Sequence, residues 1–410
     1  MIRFKKIHII DFLSYAALFT AFICASNGEL TNTNSTSIYY LPFAVCAAAL
    51  LLECIVQKKI HFPSYVLWRV LVLIFFIITL LYAIDYDSTF TGVKRYLLQT
   101  IVVLLLAMKC WESQESRVFI VKLCVLAILI NMIYVFSETS LTLLFSGHRL
   151  GKNAINRSWN ANSVGMTATF AAILTIYLYL FHRKTRQKKE TVFCALLTLF
   201  FTVTFILSGS RKTILLAAIT FILYYIFYSK SHLIRNILLS IIAISAILYA
   251  LYAVPFLYNS IGYRLENLFD FLSGTGGDGS ISDRRHMIEV GLEAFLEKPF
   301  FGYGINCFKI IYGEAAGWTV YSHNNYIELL VGTGFIGLLV YYLYILQILL
   351  LKNNGCQEII FIKSLLTAML LCEMAMVSYY DSLYQYILCM LLCSCLSIKN
   401  RDLEGNIQCS

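Results

Sequence analysis

The sequence predicts an all-α, polytopic membrane protein of about 12 transmembrane helices. Three observations lead there. Of its 410 residues 59% are hydrophobic and only 13% are charged, with a mean hydropathy of +0.74; a soluble domain carries about 25% charged residues. The apolar residues fall in continuous runs without period-two alternation, which favours helices over a closed barrel. The only long polar segment is about 257–325. The expected organisation is a single integral-membrane domain, 1–410, whose one large loop, 257–325, lies outside the cytoplasm and contains an amphipathic helix.

Twelve apolar runs are readable: about 7–26, 38–56, 65–84, 96–109, 118–136, 161–181, 192–208, 212–228, 233–256, 326–351, 359–379 and 383–398. The first is long enough to span and lacks a small-residue cleavage site, so it predicts a span rather than a removed leader. The fourth and the last fall short of the roughly 20 residues of a perpendicular span. Lys and Arg orient the chain. Arg3, Lys5 and Lys6, then Lys58 and Lys59, then the basic run 183–189, then Lys230 and Arg235, then Lys352 all share one side if the spans alternate. That side is predicted to be cytoplasmic, with both termini on it. The loops 27–37, 137–160 and 257–325 fall on the other.

The net charge is +9, and its placement says more than its sum. Lys94, Arg95, Arg149, Lys152, Arg157, Arg211, Lys212, Arg264, Arg284 and Arg285 lie on the side that the charge rule disfavours. They ask for an anion, or they snorkel to lipid headgroups; for Lys94, Arg95 and Lys152 the headgroup reading is preferred. Most of the 13 cysteines lie in apolar runs as packing residues. Cys307 alone sits in the long loop, and no CxxC pair or metal-like Cys/His spacing occurs.

Within that loop, residues 273–280 (Ser-Gly-Thr-Gly-Gly-Asp-Gly-Ser) form a hinge. No Lys-Ser/Thr follows, so nucleotide binding is not expected. The Ser280-Ile-Ser-Asp283 cap then opens an amphipathic helix of about 283–298, with Ile288, Leu292, Phe295 and Leu296 on one face. Pro299 ends it, and Gly302-Tyr303-Gly304 makes a tight turn. Next comes Tyr321-Ser-His323-Asn324-Asn325, directly before a long apolar helix. Gly332, Gly334 and Gly337 in that helix predict close packing against a neighbour.

Arg284, Ile288, Pro299, Gly302-Tyr-Gly304 and His323-Asn324, in this order, resemble the C-terminal signature of the O-antigen ligase and O-antigen polymerase superfamily. There His-Asn is followed by nine residues and Gly-x-x-Gly; here nine residues separate Asn324 from Gly334-Phe-Ile-Gly337. The Ser208-Gly-Ser-Arg211-Lys-Thr-Ile-Leu215 stretch is similar to the family's Arg-x-x-x-Leu element. At motif level the similarity covers roughly 200–340. It implies a bacterial inner-membrane glycosyltransferase that works outside the cytoplasm. Such an enzyme moves a glycan from an undecaprenyl-diphosphate carrier to an acceptor sugar. A polymerase extends lipid-linked O-antigen or capsule repeat units, and a ligase transfers the finished glycan to lipid A-core.

The residue inventory suits that chemistry. Negative charge builds on a lipid diphosphate as the sugar C1–O bond breaks, and a guanidinium can hold it bidentately at any working pH. Arg211 and Arg284 match family positions and are the catalytic candidates; the alternatives are an interfacial anchor for Arg211 and a surface pair with Asp283 or Glu289 for Arg284. The acceptor hydroxyl must lose a proton. His323 could take it, since a free imidazole titrates near 6.5, or could only orient the acceptor. Asn324 could orient His323 or bind a sugar hydroxyl. Arg285 and Arg264 are further candidates, as is Arg157 in the polar loop 146–160. Glu328 is a substrate-binding candidate or a partner for an external Arg, and Glu373 carries the same ambiguity. Trp159 and Trp318 fit an interfacial belt better than sugar stacking.

No acidic cluster suggests a metal, so metal-independent transfer without a cofactor is expected. The expected partners are the lipid-linked oligosaccharide, the acceptor glycan and membrane lipid, with a chain-length regulator left open and no nucleic acid. A 12-span secondary transporter is the more distant alternative. It is disfavoured because no internal repeat or paired broken spans are visible. A flippase would need a charged central cavity, whereas the charges here sit at one face. Between polymerase and ligase, the Tyr321–Leu330 run tilts the reading to polymerase.

Overall fold

The computed structural model describes residues 9–27, 36–56, 62–140, 148–151, 159–228, 232–255, 279–353 and 355–403, with residue 142 and scattered positions between 258 and 273. Everything regular in it is helical. The described helices run α1 Ile9–Ser26, α2 Thr36–Val56, α3 Ser64–Ile78, α4 Tyr86–Glu112, α5 Gln114–Ser137, α6 Ala161–Lys184 and α7 Lys188–Leu207. They continue with α8 Arg211–Tyr228, α9 Leu233–Ala253, α10 Gly279–Glu297, α11 Phe308–Ala316, α12 Asn325–Leu350, α13 Gln357–Cys372 and α14 Ser382–Leu403. Each of the twelve apolar runs coincides with a helix. Among the described residues nine are long and apolar enough to cross a membrane, and shorter apolar helices occupy Tyr40–Val56 and Leu233–Ile242. The chain is thus a polytopic helical membrane protein.

Sequence fixes the helix starts through polar caps. Asp85 accepts a 2.6 Å bond from the Ser88 amide ahead of α4, and Ser113 and Asn160 cap α5 and α6 in the same way. Such caps satisfy amides that have no intrahelical partner. At one end of the bundle α1, α2 and α4 are tied by charge. Lys109 Nζ lies 2.7 Å from Asp11, 2.5 Å from Glu53 and 2.9 Å from Glu112. The Lys109 side chain is fully buried, and Ser14 donates to Glu53. A lone ammonium there would be costly to desolvate, and the three carboxylates offset that cost.

The other end is built around a break in α12. Gly334 adopts φ +64°, ψ −170° inside the helix. The turn after α10 fills the gap with backbone hydrogen bonds. Tyr303 N donates to Val331 O at 2.9 Å and Gly304 N to Gly332 O at 2.9 Å, while Phe335 N donates to Pro299 O at 2.8 Å. Non-helical backbone at membrane depth survives only where protein satisfies it. From Phe335 to Leu350 the helix rises about 24 Å, so the break lies near one edge of a hydrocarbon layer about 30 Å thick.

Two expectations change here. The glycines of α12 were expected to serve helix packing; Gly334 instead breaks the helix to admit the 299–304 turn. A Cβ at Gly334 would stand 2.3 Å from the Phe300 carbonyl carbon, and one at Gly302 would stand 2.4 Å from Val331 O. The second concerns α10, expected as an amphipathic helix with Ile288, Leu292, Phe295 and Leu296 on one face. The face packed on the protein carries Met287, Val290 and Ala294, in a small core with Phe308, Tyr312, Ile327 and Val331, while Leu292 and Leu296 are exposed. Gly291 decides the rotation, because α12 comes so near that a Cβ there would lie 2.3 Å from Ile327 Cγ2. The hinge sequence between 274 and 278 lies outside the described residues.

These contacts rank the glycines. Gly317 also has positive φ (+79°), but nothing lies within 4 Å of its added Cβ. Gly317→Ala is expected to cost about 1 kcal/mol in backbone strain. Gly334→Ala adds a backbone clash and is expected to cost several times that or to prevent folding. Thermal unfolding of both variants in detergent checks the order.

Candidate active site

The loop before α12 is shaped by its own polar groups. Ser322 N donates to Glu328 Oε2 at 2.9 Å, and Ser322 Oγ donates to Asn324 O at 2.7 Å. Asn324 Oδ1 accepts from the amides of Tyr326 and Ile327 at 3.0 and 3.2 Å, capping α12. Between these two anchors His323 is held at φ +55°, a region few non-glycine residues occupy. Its ring packs at a tilt of 50° against Tyr321, with centroids 4.1 Å apart. Asn324 and Glu328 therefore use their side chains to form the loop. Glu328 is buried and takes no cation in the described structure; one of its oxygens, Oε1, has no hydrogen-bond partner there.

The next residue, Asn325, ties this loop to another segment. Its Oδ1 accepts from the amides of Ser378 and Tyr379 at 2.9 and 3.1 Å, and its Nδ2 donates to Tyr342 Oη at 2.8 Å. Glu373 completes the buried knot, accepting from Ser378 Oγ at 2.5 Å and from Tyr342 Oη. Its partners are hydroxyls and an amide rather than an arginine.

His323 opens onto a cavity of about 840 Å³. The ends of α1 and α5, the starts of α6, α8 and α14, and the first part of α10 enclose it. These are the helix ends that span alternation places on the side opposite the basic loops. Arg95, Lys212 and Arg284 reach its wall, with Asp381 as the carboxylate among them. Burial and the positive charge of Arg284 and Lys212 lower the His323 pKa to about 4. The imidazole is therefore neutral and holds a lone pair at neutral pH. Burial pushes the Asp381 carboxyl above the usual range, and it caps α14 by accepting from Tyr384 N at 2.9 Å.

Of the residues singled out by sequence, His323 and Arg284 share this lining. Arg211 heads α8, half-buried, next to Lys212, and it is Lys212 that reaches the cavity wall. Arg285 points elsewhere: its side chain is 71% exposed and pairs with Glu289 at 2.9 Å, a surface contact worth under about 1 kcal/mol. The surface pair considered for Arg284 thus belongs to its neighbour. Arg264 and Arg157 lie outside the described residues. Arg95, expected at headgroups, lies over the Tyr380 ring at 5.1 Å and lines the cavity. Trp159 is buried there too. Arg149 braces the turn before α8, donating to Ser208 O and Asn162 Oδ1, each at 2.7 Å.

Sequence reasoning counted Lys212 among the cations that ask for an anion without placing it in the site, and it missed Asp381. Lys212 was hidden beside the motif arginine, and Asp381 lies in a short linker that carries no family motif. Tyr379-Tyr380-Asp381-Ser382, a polar break between two apolar runs, was the available signal.

The site can thus hold an anion against two or three cations beside a neutral imidazole. Among the described residues the one group of three carboxylates close enough to share a metal ion is Asp11, Glu53 and Glu112. It lies at the opposite end, with Lys109 at its centre.

Burial is the larger cause of the lowered His323 pKa and the cations add to it, so removing one should reverse part of the shift. Arg284→Gln is expected to raise the His323 pKa from about 4 toward 6.5, since less positive charge opposes protonation. Inorganic diphosphate bound to the unmutated protein should raise it as well. Histidine NMR titration, or the pH dependence of diethylpyrocarbonate modification, reads the shift.

Comparison with known families agrees with the motif reading. The family described as O-antigen ligase matches residues 194–342, which run from α7 into α12 and include Arg211, Arg284 and His323. No curated protein matches the chain.

Proposed function

We propose that this chain, whose residues 194–342 match the O-antigen ligase family, transfers a glycan from undecaprenyl diphosphate to an acceptor sugar in the cavity beside His323. The transfer of lipid-linked glycan is what the family does. The donor, the acceptor and the roles of the residues are our reading. The observation that carries it is the convergence of Arg284, Lys212 and Arg95 with a neutral His323 in one cavity at one end of a membrane bundle. The positive-inside distribution supports an orientation with that end outside the cytoplasm and both termini inside.

In this reading the diphosphate lies against Arg284 and Lys212, with Arg211 supporting from the head of α8. As the C1–O bond breaks, the bonding pair moves to the leaving diphosphate oxygen. The fixed cations stabilise that charge without reorganising. The acceptor hydroxyl attacks C1 and gives its proton to His323. A base with a pKa near 4 is weak beside two cations. The growing negative charge cancels their field and strengthens the imidazole as the proton moves. Glu328 and Asn324 contribute by holding His323 in its left-handed conformation. No step requires a metal or cofactor.

Polymerisation of O-antigen or capsule repeat units is the preferred outcome. The second reading is a ligase that joins the glycan to lipid A-core, and the description of the matching family favours it. A deletion strain separates them. Loss of a polymerase leaves single repeat units on lipid A-core, whereas loss of a ligase leaves polymer on the carrier and bare core.

His323→Ala is expected to lower transfer by about 10²–10⁴-fold, the usual range for a lost general base, while the protein still inserts. Lys212→Met should lower transfer at least about tenfold if it holds the leaving group. Arg211→Lys should impair transfer more than its kept charge suggests, because the two-pronged fork is lost. Release of undecaprenyl diphosphate in proteoliposomes reports each, and normal rates in all three would remove the proposed roles.

A further inference from the structure

Arg69 sits in the middle of α3 with no exposed surface. Its guanidinium lies 3.6 Å from the centroid of the Tyr96 ring. Its Nε donates to Thr100 Oγ1 at 3.1 Å, Nη2 to Gln99 Oε1 at 3.4 Å, and Nη1 to Gln385 Oε1. Among the described residues no carboxylate pairs with it. A fully buried cation held by neutral acceptors is costly within a membrane bundle, and an apolar side chain would pack there more cheaply. The residue therefore calls for a role beyond stability.

The two glutamines show what that role is. Gln99 Nε2 donates to Tyr380 O at 2.6 Å and to Ser382 Oγ at 3.3 Å. Gln385 Nε2 donates to Ser378 O at 3.0 Å and to Tyr341 Oη at 2.9 Å. An amide whose oxygen accepts from a guanidinium cannot turn over, because its NH2 would then face N–H donors. Arg69 thereby fixes both glutamines with their NH2 groups toward the carbonyls of 378–380. From the other side Asn325 accepts the amides of Ser378 and Tyr379. One short segment is thus gripped by its carbonyls from Arg69 and by its amides from the residue two beyond His323. That segment runs into Tyr380, Asp381 and Ser382 of the cavity wall.

We propose that Arg69 is a positioning residue: through Gln99 and Gln385 it clamps the 378–382 wall at a fixed distance from the His323 loop. Its catalytic consequence rests on the glycan transfer proposed above. Arg69 touches no substrate and acts through the clamp, and displacement of a reacting group by about 1 Å can cost about 10²-fold in rate.

The test uses the full-length protein in detergent or nanodiscs, with Arg69→Met and, should that variant fail to fold, Gln99→Leu, which removes the arm to Tyr380 and Ser382 and leaves the Gln385 arm. Hydrogen exchange by mass spectrometry follows the peptide 376–383. The clamp predicts at least about tenfold faster exchange there, with α4 and α13 peptides unchanged. Steady-state transfer should show kcat lowered about 10–100-fold and the donor KM within about threefold. A uniform loss of protection across the bundle, or unchanged exchange at 376–383, overturns the clamp. Local loosening with unchanged kcat overturns its catalytic role. If the unmutated protein transfers no lipid-linked glycan, the reaction proposed above fails, and exchange alone decides the clamp.

Discussion

The site depends on the backbone pairing between the 299–304 turn and the broken helix at Gly334. That pairing locks the C-terminal end of α10 into α12, so that Arg284 and His323 arrive at one cavity although 38 positions of sequence separate their motifs. Without it α10 would be held by a small apolar core alone. The amides freed by the break would also face hydrocarbon or headgroups unpaired, at a cost of several kcal/mol each. The motif Gly-Tyr-Gly and the motif His-Asn-x9-Gly-x-x-Gly are therefore two halves of one structural joint. The glycines of each give the other's backbone room to approach.

Around that joint the site is charged in an asymmetric way. Cations gather in the cavity wall, and burial together with their charge keeps the imidazole neutral. In the proposed reaction, the group that accepts a proton would thus sit where protonation is unfavourable until negative charge appears. Proton transfer would then be tied to departure of the anion, and water arriving without a donor would meet a poor base. At the far end of the bundle Lys109 gathers three carboxylates. That knot fixes α1, α2 and α4 without bearing on the cavity.

Much of the architecture was legible because membrane physics leaves few choices. All twelve apolar runs became helices, since hydrocarbon demands internally satisfied backbone. The turn at Gly302-Tyr-Gly304 was legible for a similar reason, as its φ values of +69° and +103° suit glycine. The break at Gly334 was not, because composition at that site reads equally as a packing face. Its partner turn lies 30 residues upstream, and pairing across such a gap leaves no periodic trace. Which face of α10 packs on the protein was not legible, because a glycine, Gly291, marks that side while the large apolar residues Leu292 and Leu296 stay exposed. Arg95 and Lys212 were seen as cations on the disfavoured side, but only the fold shows that they share a cavity with His323. Asn324 carries a family motif, yet its side chain caps a helix. Motif spacing locates such a residue without revealing what its atoms touch.

The most direct test of the central claim is equilibrium binding of a short-chain isoprenyl diphosphate to the purified protein, compared with its monophosphate and with Arg284→Gln. Saturable binding is expected that favours the diphosphate and weakens at least about tenfold in the variant, as loss of a charge-assisted contact implies. Equal binding of both ligands, or binding indifferent to Arg284, would contradict it.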